Sequence, residues 1–155
     1  MEAGNIQVNI KSVTKDNWFQ CTQLEISEEN GKRFIVPIVF SLAESKYEEH
    51  LQALAIYAGA DLVGFSMYAL DPDDGRYWIY VFMIDARHQR KGYGKEGLKK
   101  IIKHISVLHD CDEIMIGHKP DNMIAARLYE KLGFTDTGDR INGEIIRRIK
   151  LKYHY

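Results

Sequence analysis

The chain has 155 residues, 45% of them hydrophobic, with 21 Lys and Arg against 22 Asp and Glu and a formal net charge of −1. That is the size and apolar content of one globular domain, residues 1–155, with enough mass for its own core. No apolar run approaches the ~20 residues that span a bilayer. Residues 1–5 lack the basic and apolar regions of a secretory signal, so a cytoplasmic protein without a membrane partner is expected. The near-zero charge hides an asymmetry. Residues 1–79 hold 6 Lys and Arg and 12 Asp and Glu, whereas residues 80–155 hold 15 and 10. The first half is suited to attracting a cation and the second to holding an anion. The basic residues are scattered rather than interleaved with aromatics, so nucleic-acid binding is not indicated. Cys21 and Cys111 form no motif and read as reduced, buried thiols.

In chain order, residues 6–13 alternate apolar and polar side chains, as a half-exposed strand does. Thr14 reads as a helix N-cap, with Trp18, Cys21 and Leu24 continuing at helical spacing. Residues 28–32 are a polar break, and residues 35–40, which contain Pro37, fit no single element. Ser41 reads as the cap of a short helix running to about His50. Residues 53–58 and 62–70 read as strands joined by a hairpin at Gly59. Residues 71–75, Asp-Pro-Asp-Asp-Gly, form a turn. Residues 76–85 are apolar on both faces, which predicts a central strand. Leu98, Ile101, Ile102, Ile105 and Leu108 place an apolar stripe on a helix over 94–109. Residues 113–117 read as a buried strand. Asn122 caps a helix over 123–132 that stops at Gly133. Residues 134–139 and 144–152 close a hairpin around Asn142-Gly143. The order β-α-α-β-β-β-α-β-α-β-β makes an α+β fold with helices on both faces of the sheet.

The most informative stretch is Gln89-Arg90-Lys91-Gly92-Tyr93-Gly94, between the central strand and the 94–109 helix. Glycine lets the backbone approach a ligand closely. The first N–H groups of a helix have no internal partners, and the helix dipole favours an anion there. The stretch therefore predicts a pyrophosphate cradle. Gly92, Gly94 and Gly97 also satisfy G-x-G-x-x-G, but a dinucleotide site fits poorly. Six residues, three of them Arg or Lys, separate the glycines from the strand, Asp112 precedes the next strand rather than ending it, and no further βα units follow.

The stretch resembles the coenzyme A signature of the GNAT N-acetyltransferase superfamily, Q/R-x-x-G-x-G/A. Downstream, residues 122–134 are similar to the second landmark of that family, N-x-x-A-x-x-L-Y-x-x-x-G-F. The resemblance covers about residues 53–153. Within the superfamily, residues 61–68, 83–85 and 137–144 are similar to bacterial spermine/spermidine acetyltransferases. The resemblance implies a mixed, mainly antiparallel sheet of about seven strands and acetyl-CoA as co-substrate, lying in a splay between the 76–85 and 113–117 strands. It implies that the backbone of Phe82, Met83 and Ile84 pairs with the pantetheine arm. Gln89, Arg90, Lys91, Gly92, Tyr93, Gly94 and Lys95 would hold the pyrophosphate, and Asn122 would bind the arm as well as cap its helix. A homodimer is also a family-level expectation.

Tyr129 shares the apolar face of its helix, which by position alone reads as a core tyrosine. Its place in the second landmark implies the general acid, and a phenol is suitably matched to protonate a departing thiolate. Similar polyamine enzymes carry an acid where this chain has Tyr80. The base is therefore open between a water chain, Tyr80 and a carboxylate such as Glu49, and Glu28 and Glu49 are the expected acceptor-side acids. The six histidines do not pair at ligand spacing, so no metal is expected. The expected activity is acetyl transfer to a primary amine, a polyamine first. An aminoglycoside-type antibiotic or a peptide N-terminus is the alternative acceptor, and a non-catalytic coenzyme A-binding module is the alternative class.

Overall fold

A computed structural model describes residues 7–26 and 37–151. Seven strands form one sheet in the order β1-β2-β3-β4-β5-β7-β6. They are β1 (Val8–Ser12), β2 (Gln52–Ala58), β3 (Asp61–Leu70), β4 (Tyr77–Ile84), β5 (Glu113–His118), β6 (Thr135–Ile141) and β7 (Glu144–Lys150). Every neighbouring pair is antiparallel except β4 and β5. The described helices are α1 (Trp18–Thr22), α2 (Ile38–Tyr47), α3 (Tyr93–His109) and α4 (Met123–Leu132).

Side-chain alternation divides the core between the two faces of the sheet. Leu54 and Ile56 of β2 join a cluster with Leu98, Ile101 and Ile105 of α3 and Tyr129 of α4. Ala55 of β2, with Phe65 and Met67 of β3, joins Cys21 of α1 and Ile38 of α2 on the other face. The expected α+β sheet with helices on both faces is what the chain forms.

Several local expectations need correction. Thr14 does not cap α1 through its hydroxyl, which accepts from the N–H of Asp16, while the Thr14 N–H donates to Asn17 Oδ1 at 2.7 Å. Ser41 is not a helix cap but a buried residue inside α2. That helix starts three residues earlier, behind Pro37, whose φ of −51° is preset for a helix entry and whose missing N–H costs nothing there. It ends at Tyr47, since Glu48 is already extended. Cys21 is fully buried, and burial pushes its thiol up to about 11, but Cys111 is only half-buried. The 28–32 break, including Glu28, lies outside the described residues.

Two details of β3 and β4 set up the site. Met67 pairs with Val81 and Tyr68 with Ile79, so Tyr80 is an extra residue in β4, a bulge that re-aims its side chain. Tyr80 is 41% exposed, in a strand that reads from sequence as buried on both faces. At the other end, Gly64 pairs with Ile84, and a Cβ there would lie 2.5 Å from the Met83 carbonyl oxygen and 2.8 Å from Ile84 Cδ1. Gly64 is thus what lets β3 close tightly on the end of β4. Gly64→Ala is expected to cost roughly 1–3 kcal/mol by overpacking. Thermal unfolding followed by circular dichroism should show a fall in Tm of roughly 2–10 °C. An unchanged Tm would mean that the strand end yields freely.

Candidate active site

β4 and β5 are paired at only two positions, Trp78 with Met115 and Ile79 with Ile116. Beyond these the strands diverge, and the edge of β4 from Val81 onward has no strand partner on that side. A cavity of about 1080 Å³ opens in the gap. Phe82, Met83 and Ile84 line it from β4, Gly117 and His118 from β5, and Asn122, Leu128 and Tyr129 from α4 and its cap. An unpaired strand edge in a cavity offers fixed donors and acceptors to an extended ligand.

The turn after β4 is held from inside. Asp85 is fully buried, and both of its oxygens bind Arg87, Oδ1 accepting from the Arg87 N–H and Nε and Oδ2 from Nη2 at 2.7 Å. Its Oδ2 also accepts from the N–H of Glu25. Burial alone would raise this carboxyl, but the hydrogen bonds from Arg87 and Glu25 outweigh it and hold the group below the usual carboxylate range. The 3₁₀ turn Ala86–His88 follows. Gln89 Nε2 then donates back to the Ile84 carbonyl at 3.2 Å, tying the turn to the strand end.

Arg90 and Gly92 both take left-handed backbone, with φ of 65° and 82°. Alternating handedness of this kind turns successive N–H groups toward one concave side, and here α3 begins immediately after, at Tyr93. A Cβ on Gly94 would meet only Leu128 Cδ2 at 3.8 Å and Ile84 Cγ1 at 3.9 Å. The start of α3 therefore presents bare backbone to the cavity at Gly94, and a helix N-terminus there fits an anion such as a pyrophosphate.

Of the expected cofactor residues, Phe82, Met83, Ile84, Gln89, Arg90, Gly94 and Asn122 line the cavity. Lys91, Gly92, Tyr93 and Lys95 do not; they build the turn and the first helical turn beside it, and the ring of Tyr93 packs against the core. Asn122 caps α4 as expected, its Oδ1 accepting from the N–H of Ala125.

Tyr129 faces into the cavity, 6% exposed, with its ring 5.8 Å from that of His118 and 5.9 Å from that of Phe134. Burial, and secondarily the Glu144 carboxylate, raise its phenol well above the ordinary tyrosine value. It is a hydroxyl held in its proton-bearing form. His118 is fixed on both sides: Arg147 Nε donates to its Nε2 at 2.8 Å, and its Nδ1 lies 2.9 Å from the Lys119 carbonyl. Arg147 in turn binds Glu130 at 3.0 Å. With both ring nitrogens engaged, this histidine braces the wall under Tyr129.

At the other end the bulged Tyr80 lies on the cavity wall, and its hydroxyl donates to Asp71 Oδ2 at 2.5 Å. Burial and that bond to Asp71 raise the phenol, so Tyr80 is a poor base. The same bond holds Asp71 below the usual carboxylate range. Glu49 is exposed and does not line the cavity, but Glu44 and Glu48 of the α2 region do. Glu48 is one of the acidic residues of the first half from which attraction of a cation is expected, whereas sequence reading missed Glu44, His118 and Glu144. Glu44 was visible only as one helix position among several, and Glu144 only as the residue after a turn.

Comparison with known proteins agrees with this geometry. Residues 15–134 match the Acetyltransferase (GNAT) family. The chain is 36% identical over 146 residues to the spermine/spermidine N(1)-acetyltransferase of Bacillus subtilis, covering 90% of this chain and 95% of that one. Its fold is similar to that of spermidine N-acetyltransferase from Vibrio cholerae in complex with CoA and spermine, with a TM-score of 0.72, 13% identity and coverage of 94% and 95%. It is also similar to an aminoglycoside acetyltransferase in complex with coenzyme A, with a TM-score of 0.76, 14% identity and coverage of 93% and 95%. With its splayed central strands, its glycine turn at a helix start and its buried tyrosine, the chain belongs to the GNAT family of acetyltransferases.

Proposed function

We propose that this acetyltransferase moves the acetyl group of acetyl-CoA to a primary amine of a polyamine such as spermidine or spermine. The observation that carries the reading is the opposite polarity of the two ends of one cavity. Arg90 and the bare first turn of α3 stand at one end, and Glu44, Glu48 and the Tyr80-bound Asp71 stand at the other. An anionic cofactor and a polycationic acceptor would enter such a cavity from opposite sides. The 36% identity to a spermine/spermidine acetyltransferase over nearly the whole chain supports the same reading.

Coenzyme A supplies the activated acetyl group and a thiolate leaving group. The free edge of Val81 to Ile84 would align its pantetheine arm, and the N–H groups around Gly92 to Lys95 would hold its pyrophosphate. Tyr129 would donate a proton to the departing sulfur. The phenol keeps its proton across the working pH range and so has one to give; because burial weakens it as an acid, the transfer accompanies C–S cleavage rather than preceding it.

Three outcomes are expected. Gly94→Val should fold, because the added Cβ meets only ordinary contacts, yet bind acetyl-CoA at least tenfold more weakly, about 1.4 kcal/mol. Unchanged affinity by calorimetry on the folded variant would remove Gly94 from the cradle. Tyr129→Phe should keep cofactor affinity and lose turnover by roughly 10²–10⁴-fold. Parallel loss of both, or of neither, would make Tyr129 structural.

The acceptor reading is tested with salt. The Debye length falls from ~10 Å at 0.1 M to ~3 Å at 1 M, so kcat/KM for spermidine should drop steeply with ionic strength. A singly charged monoamine should respond much less. Acetylation of a peptide N-terminus or an aminoglycoside, with spermine, spermidine and diamines all inert, would replace the polyamine as acceptor.

A further inference from the structure

We propose that Glu144 is the carboxylate that receives the acceptor's ammonium and takes its first proton. The proposal rests on reading the acceptor as a primary amine and gives that reading its missing base.

Glu144 is the first residue of β7 and pairs with Ile141 across the Asn142-Gly143 turn. Its side chain lines the same cavity as Tyr129, and it lies over β5 where that strand has no side chain. A Cβ on Gly117 would come 3.5 Å from Glu144 Oε1, so the glycine makes the room the carboxylate uses. The hairpin is anchored there by Lys119, whose Nζ donates to the Asn142 carbonyl at 3.1 Å.

The neighbouring charges are otherwise engaged. From β5, His118 is bound at both nitrogens and Lys119 is spent on Asn142. From β7 itself, Arg147 is bound to Glu130 and His118. From α4, Tyr129 is close enough to feel the Glu144 charge. The Glu144 carboxylate itself makes no hydrogen bond or ion pair with any described residue. A half-buried carboxylate left free beside the proton donor of a cavity is placed to bind a cation from solution.

The proton balance is complete. An acceptor R–NH₃⁺ gives one proton to Glu144 and becomes R–NH₂, whose lone pair forms the new C–N bond as the C–S bond breaks. Tyr129 gives its proton to the sulfur and recovers one from the nitrogen, which leaves the amide and the free thiol. Glu144 returns its proton to water through the half-exposed hairpin.

The test uses the full-length enzyme with acetyl-CoA and two acceptors, spermidine and n-butylamine. Glu144→Gln should retain coenzyme A affinity by calorimetry and lose turnover about 10²-fold or more near pH 7.5. Without the carboxylate only the free amine reacts. The variant's rate should therefore climb close to tenfold per pH unit below the amine pKa of ~10.4, while the wild type rises less steeply. Glu144→Asp, which keeps the charge, should recover part of the rate. Wild-type turnover and pH slope in Glu144→Gln, or a loss of cofactor affinity that matches the loss of rate, would overturn the assignment. If the wild type acetylates n-butylamine but not spermidine, the polyamine reading falls, and the ratio of variant to wild type with n-butylamine still decides Glu144. If the wild type acetylates neither amine, an aminoglycoside and a peptide with a free N-terminus take their place, and the same ratio of variant to wild type decides Glu144.

Discussion

The site depends on a parallel pairing that stops early. β4 and β5 share two paired positions, Trp78 with Met115 and Ile79 with Ile116, and then separate. Buried backbone groups left unpaired are costly, so such a gap persists only where the flanking structure holds it open or a ligand fills it. Here it is held on both sides. β3 continues to pair with β4 as far as Ile84, and β7 pairs with β5 from Glu113 through His118. The bulge at Tyr80 falls where the parallel pairing ends, and the added local twist turns β4 away from its neighbour. The cavity, the free strand edge and the approach to the α3 start all follow from that divergence.

The turn beyond the splay carries the second constraint. Left-handed backbone at Arg90, a non-glycine residue, has an energetic cost and must be imposed by its surroundings. Asp85 supplies part of that imposition by gripping Arg87 and the Glu25 N–H at once, and Gln89 adds its bond to Ile84. The glutamine of the motif therefore acts on the protein's own strand end, and Arg90 beside it lies on the cavity wall.

What was legible in the sequence was what depends on neighbours in the chain. The α4 cap at Asn122, the stop at Gly133, the Asn142-Gly143 hairpin and the glycine turn before α3 are local chemistry, and each is present. Pro37 shows the limit of such reading. The same residue breaks one helix pattern and starts another, and only packing of Ile38 against Cys21 and Phe65 settles which. The exposure of Tyr80 was not legible, because a bulge shifts side-chain alternation without changing composition. Glu144 was invisible because the hairpin could be read but not its insertion. β7, rather than β6, lies against β5, and that order alone brings the residue after the turn over Gly117 and beside Tyr129.

That strand order bears on how a family site can keep its chemistry while losing a residue. At the β4 position where a carboxylate was expected, this chain has a tyrosine that does not replace it as a base, because its hydroxyl is committed to Asp71 and its phenol is raised. Instead the acid is displaced outward, to the turn after β3, where Tyr80 holds it at the cavity rim. A carboxylate at the rim can attract a cation but lies on the β4 wall, away from the Tyr129 wall. The wall that carries Tyr129 has its own free carboxylate in Glu144, from a strand two positions along the sheet. With Glu144 as the proposed base, attraction and deprotonation, which one strand acid would combine, would be divided between two elements. Each can be tuned alone, the rim by charge number and reach, and the Glu144 wall by the space that Gly117 leaves.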